Sequence, residues 1–157
     1  MRGIVLTRFG DPAKVLELKT LPDPPPPGPG EVVVRVTKRV IHPGNLVMIR
    51  GGFNIPIPAD GFLVSGADGV GVGEGVDSAQ SVKPGARVIF NPSPGAWAER
   101  LKTRIELVTP IPDDLPDAVA AQLLSRISEK CRAVFRKNPA SSKALSRDAL
   151  ASQRISA

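Results

Sequence analysis

Several residue types that build reactive centres are scarce in this 157-residue sequence. A single cysteine, Cys131, excludes an internal disulfide and any zinc site built from several cysteines. His42 is the only histidine, so neither a typical zinc site nor a serine or cysteine triad can be assembled around it from the sequence. Tyrosine is absent, which excludes a phenol as an acid or proton donor. Any chemistry of this chain must therefore rest on other groups.

Long apolar runs are also missing. No stretch approaches the ~20 apolar residues of a membrane-spanning helix, and Met1–Arg8 lacks the apolar core and small-residue cleavage site of a secretory signal. We therefore expect a cytoplasmic protein without a membrane partner. Hydrophobic residues make up 41% and charged residues 23% of the sequence, which is ordinary for a globular chain that buries one core.

The net charge of +6 is confined to the end of the chain. Residues 1–124 contain 13 basic and 13 acidic side chains, whereas residues 125–157 contain 8 basic and 2 acidic ones. Every glycine also lies before residue 125. We predict one domain over residues 1–124 and a divergent basic tail over residues 125–157 that is helical or disordered. Because the tail has one aromatic residue, Phe135, a solvated segment is favoured over a specific nucleic-acid contact.

The first 124 residues have the pattern of short strands separated by glycine and proline. In Glu31–Val40 the alternating valines predict the clearest strand, and Pro22–Gly30 must be an extended connector. A short helix is expected over Gly44–Arg50, and a second over Ala118–Leu124 with Asp117 as its cap. The fold is therefore predicted to be mainly β, a barrel or a sandwich. The further strands are predicted over Gly3–Arg8, Val15–Thr20, Val64–Val76, Arg87–Phe90, Ala96–Arg100 and Ile105–Val108.

Glycine recurs at every second position between Gly69 and Gly75. A dinucleotide fingerprint needs G-x-G-x-x-G opening a helix, and this stretch places Glu74 where the third glycine should be. A strict period of two instead puts the glycines on one face of a strand, where another backbone or a ligand can approach closely. Close strand packing is the favoured interpretation, and ligand binding is the alternative. Trp97 is likewise favoured as a core anchor over a stacking platform.

Taken in order, several segments resemble those of the medium-chain dehydrogenases/reductases. Ile41-His-Pro-Gly-Asn-Leu-Val-Met-Ile-Arg-Gly51 resembles the I-N-P-x-D-x-x-x-I-x-G segment of the zinc-free quinone oxidoreductase and trans-2-enoyl-thioester reductase branch. Gly66-Ala-Asp-Gly-Val-Gly71 is similar to its G-x-E-G-x-G strand, and Lys83-Pro-Gly-Ala-Arg-Val88 to its K-P-G-D-R-V turn. Gly95-Ala-Trp-Ala-Glu99 resembles its G-T-W-A-E segment. The resemblance covers about residues 1–124.

This resemblance implies a GroES-like catalytic domain, a partly open β-barrel that works in the family beside a Rossmann domain absent from this chain. The family passes a hydride from NADPH to a quinone, an enone or an enoyl-CoA. It implies that Asn45, Met48 and Phe53 line the cleft, with His42 at its edge, so that His42, Asn45 and Met48 contact the cofactor. Catalytic roles would fall to Asn45 and to Phe53, and no metal is expected.

The chain also departs from the family pattern. Phe53 stands where the reductase branch has a proton-donating tyrosine, so that donor is lost, and His42 and Asn45 replace an asparagine and an aspartate. The pattern stops near Leu124, which implies a truncated or frame-shifted amino-terminal fragment that is inactive alone and holds NADPH weakly. Two alternatives remain: a non-catalytic module that pairs with a full-length reductase or a second copy, and nucleic-acid contact through the tail.

Overall fold

The computed structural model of the chain describes residues 1–53, 55–76 and 82–127. Met1–Leu124 forms one compact unit, and the predicted tail lies outside the described residues from residue 128 onward. The unit is mainly β, as predicted, with eight strands, three helices and one 3₁₀ turn in the part described. The strands are β1 Arg2–Leu6, β2 Leu16–Thr20, β3 Glu31–Arg39, β4 Leu63–Val64, β5 Gly69–Val76, β6 Arg87–Phe90, β7 Arg100–Arg104 and β8 Val108–Pro110; the helices are α1 Pro12–Val15, α2 Pro43–Ile49 and α3 Asp117–Ile127.

Two antiparallel sheets carry the fold. The smaller sheet has the order β2-β1-β4, and the larger one has the order β7-β3-β5-β6-β8. An isolated bridge pairs Gly3 of β1 with Ala98, in the segment that leads into β7 of the larger sheet. Valines of β3 and residues of β6, including Phe90, fill the main core together with Trp97. Because side chains alternate along a strand, one face of β3 can be buried while Arg35 on the other stays exposed.

The glycine positions of β5 pack closely against β3. A Cβ atom added to Gly71 would lie 2.4 Å from the carbonyl oxygen of Arg35 and 2.4 Å from a methyl group of Val34. One added to Gly69 would lie 2.5 Å from the carbonyl oxygen of Lys38. Contacts this short leave no room for a side chain, so the favoured interpretation of the glycine repeat, close strand packing, is confirmed at these two positions.

Three predicted strands are wrong in part. The chain breaks between β4 and β5, because Gly66 adopts φ +84° and turns the backbone out of the expected continuous strand Val64–Val76. The predicted strand Ala96–Arg100 is mostly a turn that follows Gly95, whose φ is +93°, and β7 begins only at Arg100. The predicted strand Ile105–Val108 is a 3₁₀ turn over Ile105–Leu107 that leads into β8.

Arg87 and Asp117 fasten α3 to the larger sheet. Asp117 is the first residue of α3, and its carboxylate accepts hydrogen bonds from Arg87 of β6 and, at 2.7 Å, from the hydroxyl of Thr37. The sequence prediction of Asp117 as a helix cap therefore missed its partners. Hydrogen bonding from Arg87 first, and from Thr37 second, lowers the pKa of the Asp117 carboxyl. Arg87 also donates to three backbone carbonyls of the preceding loop, those of Pro112, Asp113 and Leu115.

Candidate functional site

The start of α2 is a reciprocal cap built from His42 and Asn45. His42 has an extended backbone, and its ring nitrogen Nδ1 accepts the N–H of Gly44 at 3.2 Å. The Asn45 side-chain oxygen in turn accepts the N–H of His42 at 2.8 Å. Pro43 follows the cap at the first helical position, where its missing N–H costs nothing. The short stretch from His42 to Asn45 therefore supplies both halves of the helix cap.

His42 also reaches across to a buried carboxylate. Its Nε2 lies 3.2 Å from Oδ1 of Asp68, whose exposed fraction is 1%. Since Nδ1 accepts the N–H of Gly44, a neutral ring must carry its proton on Nε2 and donate it to Asp68. Both ring nitrogens of His42 are thereby engaged within the protein. The imidazole orients the start of α2, and it offers no spare ring nitrogen in this arrangement.

Two substitutions of His42 distinguish the contribution of the helix cap to stability from that of the contact with Asp68. We expect His42→Ala to lower the free energy of unfolding by about 1–2 kcal/mol, because α2 loses its cap and Asp68 loses the imidazole. His42→Asn should cost less, because an asparagine oxygen can still accept the N–H of Gly44. Urea unfolding followed by circular dichroism measures both. Equal losses for the two variants would show that the cap contributes nothing.

The other two predicted site residues lie along α2 and the turn after it. Met48 is half-buried and packs against the main core. Phe53 is 56% exposed, and it has Val47 and Ile55 as exposed apolar companions in the same stretch of chain. Asn45, by contrast, is 2% exposed. Phe53 therefore lies at the surface, whereas Asn45 is buried as part of the cap of α2.

A glycine pair makes the turn after α2. Gly51 adopts φ +88°, and a Cβ atom added there would lie 3.3 Å from the ring of Phe9. The N–H of Gly10 donates to the carbonyl of Ile49 at 3.0 Å, so the chain after β1 is fastened to the end of α2. Phe9, which is itself partly exposed, therefore lies against the turn that precedes Phe53. Phe9 could not be identified from the sequence, because no local pattern connects it to α2.

The described residues set limits on other kinds of site. Over residues 1–53, 55–76 and 82–127, no group of three or more His, Cys, Asp or Glu side chains could hold a metal ion. Within the same ranges, no helix is long and apolar enough to cross a membrane. A surface cleft of about 320 Å³ contains none of the four predicted site residues; its lining includes Phe62, Leu63, Pro94, Arg100 and Lys102.

Comparison with known proteins gives clear relatives, although no protein-family model matches the chain. A mitochondrial enoyl-[acyl-carrier-protein] reductase of Bos taurus is 39% identical over 131 residues, which are 78% of this chain and 33% of the bovine protein. The structure of a Bacillus thuringiensis protein assigned as an NADPH:quinone reductase superposes with a TM-score of 0.69 at 33% identity, over 83% of this chain and 40% of that one. The chain spans about a third of the length of the bovine relative.

A third comparison concerns the fold alone. The Escherichia coli quinone oxidoreductase, solved as a complex with NADPH, is 18% identical and has a TM-score of 0.68, over 83% of this chain and 41% of that one. Together with the Bacillus thuringiensis structure, it confirms the predicted architecture of a partly open, GroES-like β-barrel with a short helix. The resemblance that the ordered series of motifs predicted is confirmed by the bovine and Bacillus thuringiensis relatives.

Proposed function

Since this chain belongs to the medium-chain dehydrogenases/reductases over the residues it shares with its relatives, we propose that residues 1–124 are the substrate-side domain of an NADPH-dependent reductase of quinones, enones or enoyl thioesters. The observation that carries this proposal is a set of exposed apolar side chains on and beside the capped helix α2: Val47 in the helix, Phe53 and Ile55 after it, and Phe9 against the turn at Gly51. Such a surface suits an uncharged, conjugated acceptor.

The described residues suit one end of the cofactor. The glycine repeat stays within β5 and opens no helix, so it provides no cradle for a pyrophosphate. In the proposal, Met48 and the rim of α2 at His42 contact the nicotinamide end, while Asn45 positions that rim from below through its bond to His42. When bound, NADPH supplies a hydride. We accordingly propose weak NADPH binding by this chain alone.

Phe53 determines how the acceptor is protonated in this proposal. Its ring carries no hydroxyl, so the position that resembles the proton-donating tyrosine provides only an apolar wall. His42 does not replace that donor, because its Nε2 proton is held by Asp68. The proton therefore comes from water at the exposed face of the turn. This favours acceptors such as quinones, whose reduced oxygens are protonated readily by solvent, over enoyl thioesters.

A chimera tests the proposal. Residues 1–124 replace the corresponding part of the bovine enoyl reductase, and NADPH oxidation is followed with a quinone and with an enoyl thioester. We expect the chimera to reduce the quinone faster, and Phe53→Tyr to raise enoyl-thioester turnover by about tenfold or more, as a positioned proton donor does. The 157-residue chain alone should show neither turnover nor saturable binding of NADPH in the micromolar range.

Phe62→Tyr is the matched control for Phe53→Tyr. Phe62 lies under the ammonium group of Lys19, 5.4 Å from it, and lines the separate cleft, so a hydroxyl there should leave both activities unchanged. An inactive chimera that still binds NADPH would contradict the assignment of this domain to a reductase. Micromolar binding of NADPH by the chain alone would contradict the proposed division of the cofactor site.

A further inference from the structure

The outer edge of β2 is an uncovered strand edge. β2 is the end strand of the smaller sheet and pairs on one side with β1. In the part of the chain that the structure describes, no strand lies on its other side. Leu18, at the centre of β2, is 69% exposed. An edge of this kind is a template for another strand unless charge or shape prevents pairing.

The hydrogen bonds at the end of the β1–β2 ladder determine which backbone groups face outward. Met1 and Leu21 exchange two bonds, the Met1 amino group donating at 2.8 Å and the Leu21 N–H at 2.7 Å. Bonded and non-bonded pairs alternate along an antiparallel ladder. From the β1–β2 register, Lys19 and Glu17 therefore direct their N–H and C=O groups toward β1. The groups that point to the uncovered side belong to Leu16, Leu18 and Thr20.

We propose that β2 pairs antiparallel with β2 of a second copy of this chain, about a two-fold axis at Leu18. In this register Leu18 faces Leu18 of the second copy, and Leu16 faces Thr20. The central pair of leucines can exchange two hydrogen bonds, and each flanking pair can form one, from the N–H of Thr20 to the carbonyl of Leu16, because the N–H of Leu16 already donates to the carbonyl of Pro12. The intervening pairs set Glu17 of each copy opposite Lys19 of the other, in the closely spaced non-bonded positions where opposite charges attract.

The neighbouring registers are worse for identifiable reasons. A shift of the axis to Glu17 places two Glu17 carboxylates opposite each other, and a shift to Lys19 does the same with two ammonium groups. If the two-fold axis falls between two residues, each residue with outward backbone groups lies opposite one whose groups point toward β1, so the backbone hydrogen bonds cannot form. Of these registers, the one centred on Leu18 combines backbone pairing, opposite charges and cover for the exposed leucine. A five-residue strand buries little surface, so the dimer is weak and reversible.

Charge reversal at β2 tests the register directly. Sedimentation velocity is run on the full chain from about 10 μM to about 1 mM, the range in which a small interface dissociates. We expect a concentration-dependent dimer. Glu17→Lys and Lys19→Glu each turn two symmetric attractions into repulsions and should raise the dissociation constant by about tenfold or more. The double variant Glu17→Lys/Lys19→Glu restores opposite charges and should return dimerisation to near the original level.

Two further variants keep the result unambiguous. Glu106→Lys makes the same charge change as Glu17→Lys at an exposed residue outside β2, and it should leave the dimer unchanged. Leu18→Pro removes the N–H on the axis and should abolish pairing, with circular dichroism as the check on its fold. A chain that stays monomeric throughout the concentration range overturns the proposal. So does a dimer that responds equally to Glu17→Lys and Glu106→Lys, or one that the double reversal fails to restore.

Discussion

Gly66→Ala is expected to destabilise the domain by about 3–5 kcal/mol, one of the largest effects that a single methyl group can have here. Gly66 has φ +84°, and a Cβ atom there would lie 2.3 Å from Cδ1 of Trp97. The ring cannot easily retreat, because Trp97 is 6% exposed and its Nε1 donates to the carbonyl of Val40 at 3.2 Å. The added methyl group therefore meets both backbone strain and a fixed ring.

Gly85→Ala separates the strain from the clash. Gly85 has φ +82°, nearly the same as Gly66, but no heavy atom within 4 Å of an added Cβ. Gly85→Ala should lower the free energy of unfolding only by the backbone strain of an alanine at positive φ, about 1–2 kcal/mol. Urea unfolding followed by circular dichroism gives both values. If Gly66→Ala and Gly85→Ala lower the free energy of unfolding equally, the clash with Trp97 does not contribute to the loss at Gly66. In the Gly66→Ala background, Trp97→Leu should cost less than it does in the wild type, because the clash is relieved.

Arg87→Ala is the second change with a large expected effect, a loss of about 2–4 kcal/mol. It leaves Asp117 and the loop carbonyls that Arg87 binds without their donor in a partly buried place. Arg104→Ala is the matched control. Arg104 also pairs with a carboxylate, that of Glu106, but the two side chains are 70% and 59% exposed, so its loss should cost less than about 1 kcal/mol. Equal losses from the two arginines would contradict an anchoring role for Arg87.

The same ion pair predicts how stability depends on pH. Because the folded-state pKa of Asp117 is lowered, its contribution is complete above the unfolded-state pKa of about 4 and is lost as the pH falls through the folded-state value. The stability difference between the wild type and Asp117→Asn should therefore be largest near neutral pH and shrink below about pH 4. Urea midpoints measured between neutral and acid pH show this directly. A difference that stays constant with pH would mean that the charge on Asp117 is unimportant.

The sequence predicted the strands wherever a local pattern decided the structure. The alternating valines give β3 to within one residue, and the glycine period of two identifies the crowded face of β5. The prediction of a strand at Ala96–Arg100 was wrong because a turn over Pro94–Trp97, with Gly95 at φ +93°, occupies its first residues. At that point tertiary packing of the indole overrides local preference.

The candidate site was predictable only in its local part. His42 and Asn45 are three residues apart, and their reciprocal cap could have been read as a capping box. Asp68 lies 26 residues from His42, and Thr37 lies 80 residues from Asp117, so neither contact has a local signal in one sequence. The resemblance to relatives predicted that the site lies at α2. Only the structure shows that Asn45 lies beneath the surface and Phe53 at it.

The cap on α2 also has a consequence for the order in which the domain folds. α2 has seven residues, whereas isolated helices need about 12 or more to persist in water. The N–H of Gly44, its second residue, is accepted by the imidazole that also contacts Asp68, and Asp68 immediately precedes β5. β5 pairs with β3 between residues that lie 30 or more positions apart in the sequence. We therefore expect α2 to become stable only after β5 has paired with β3.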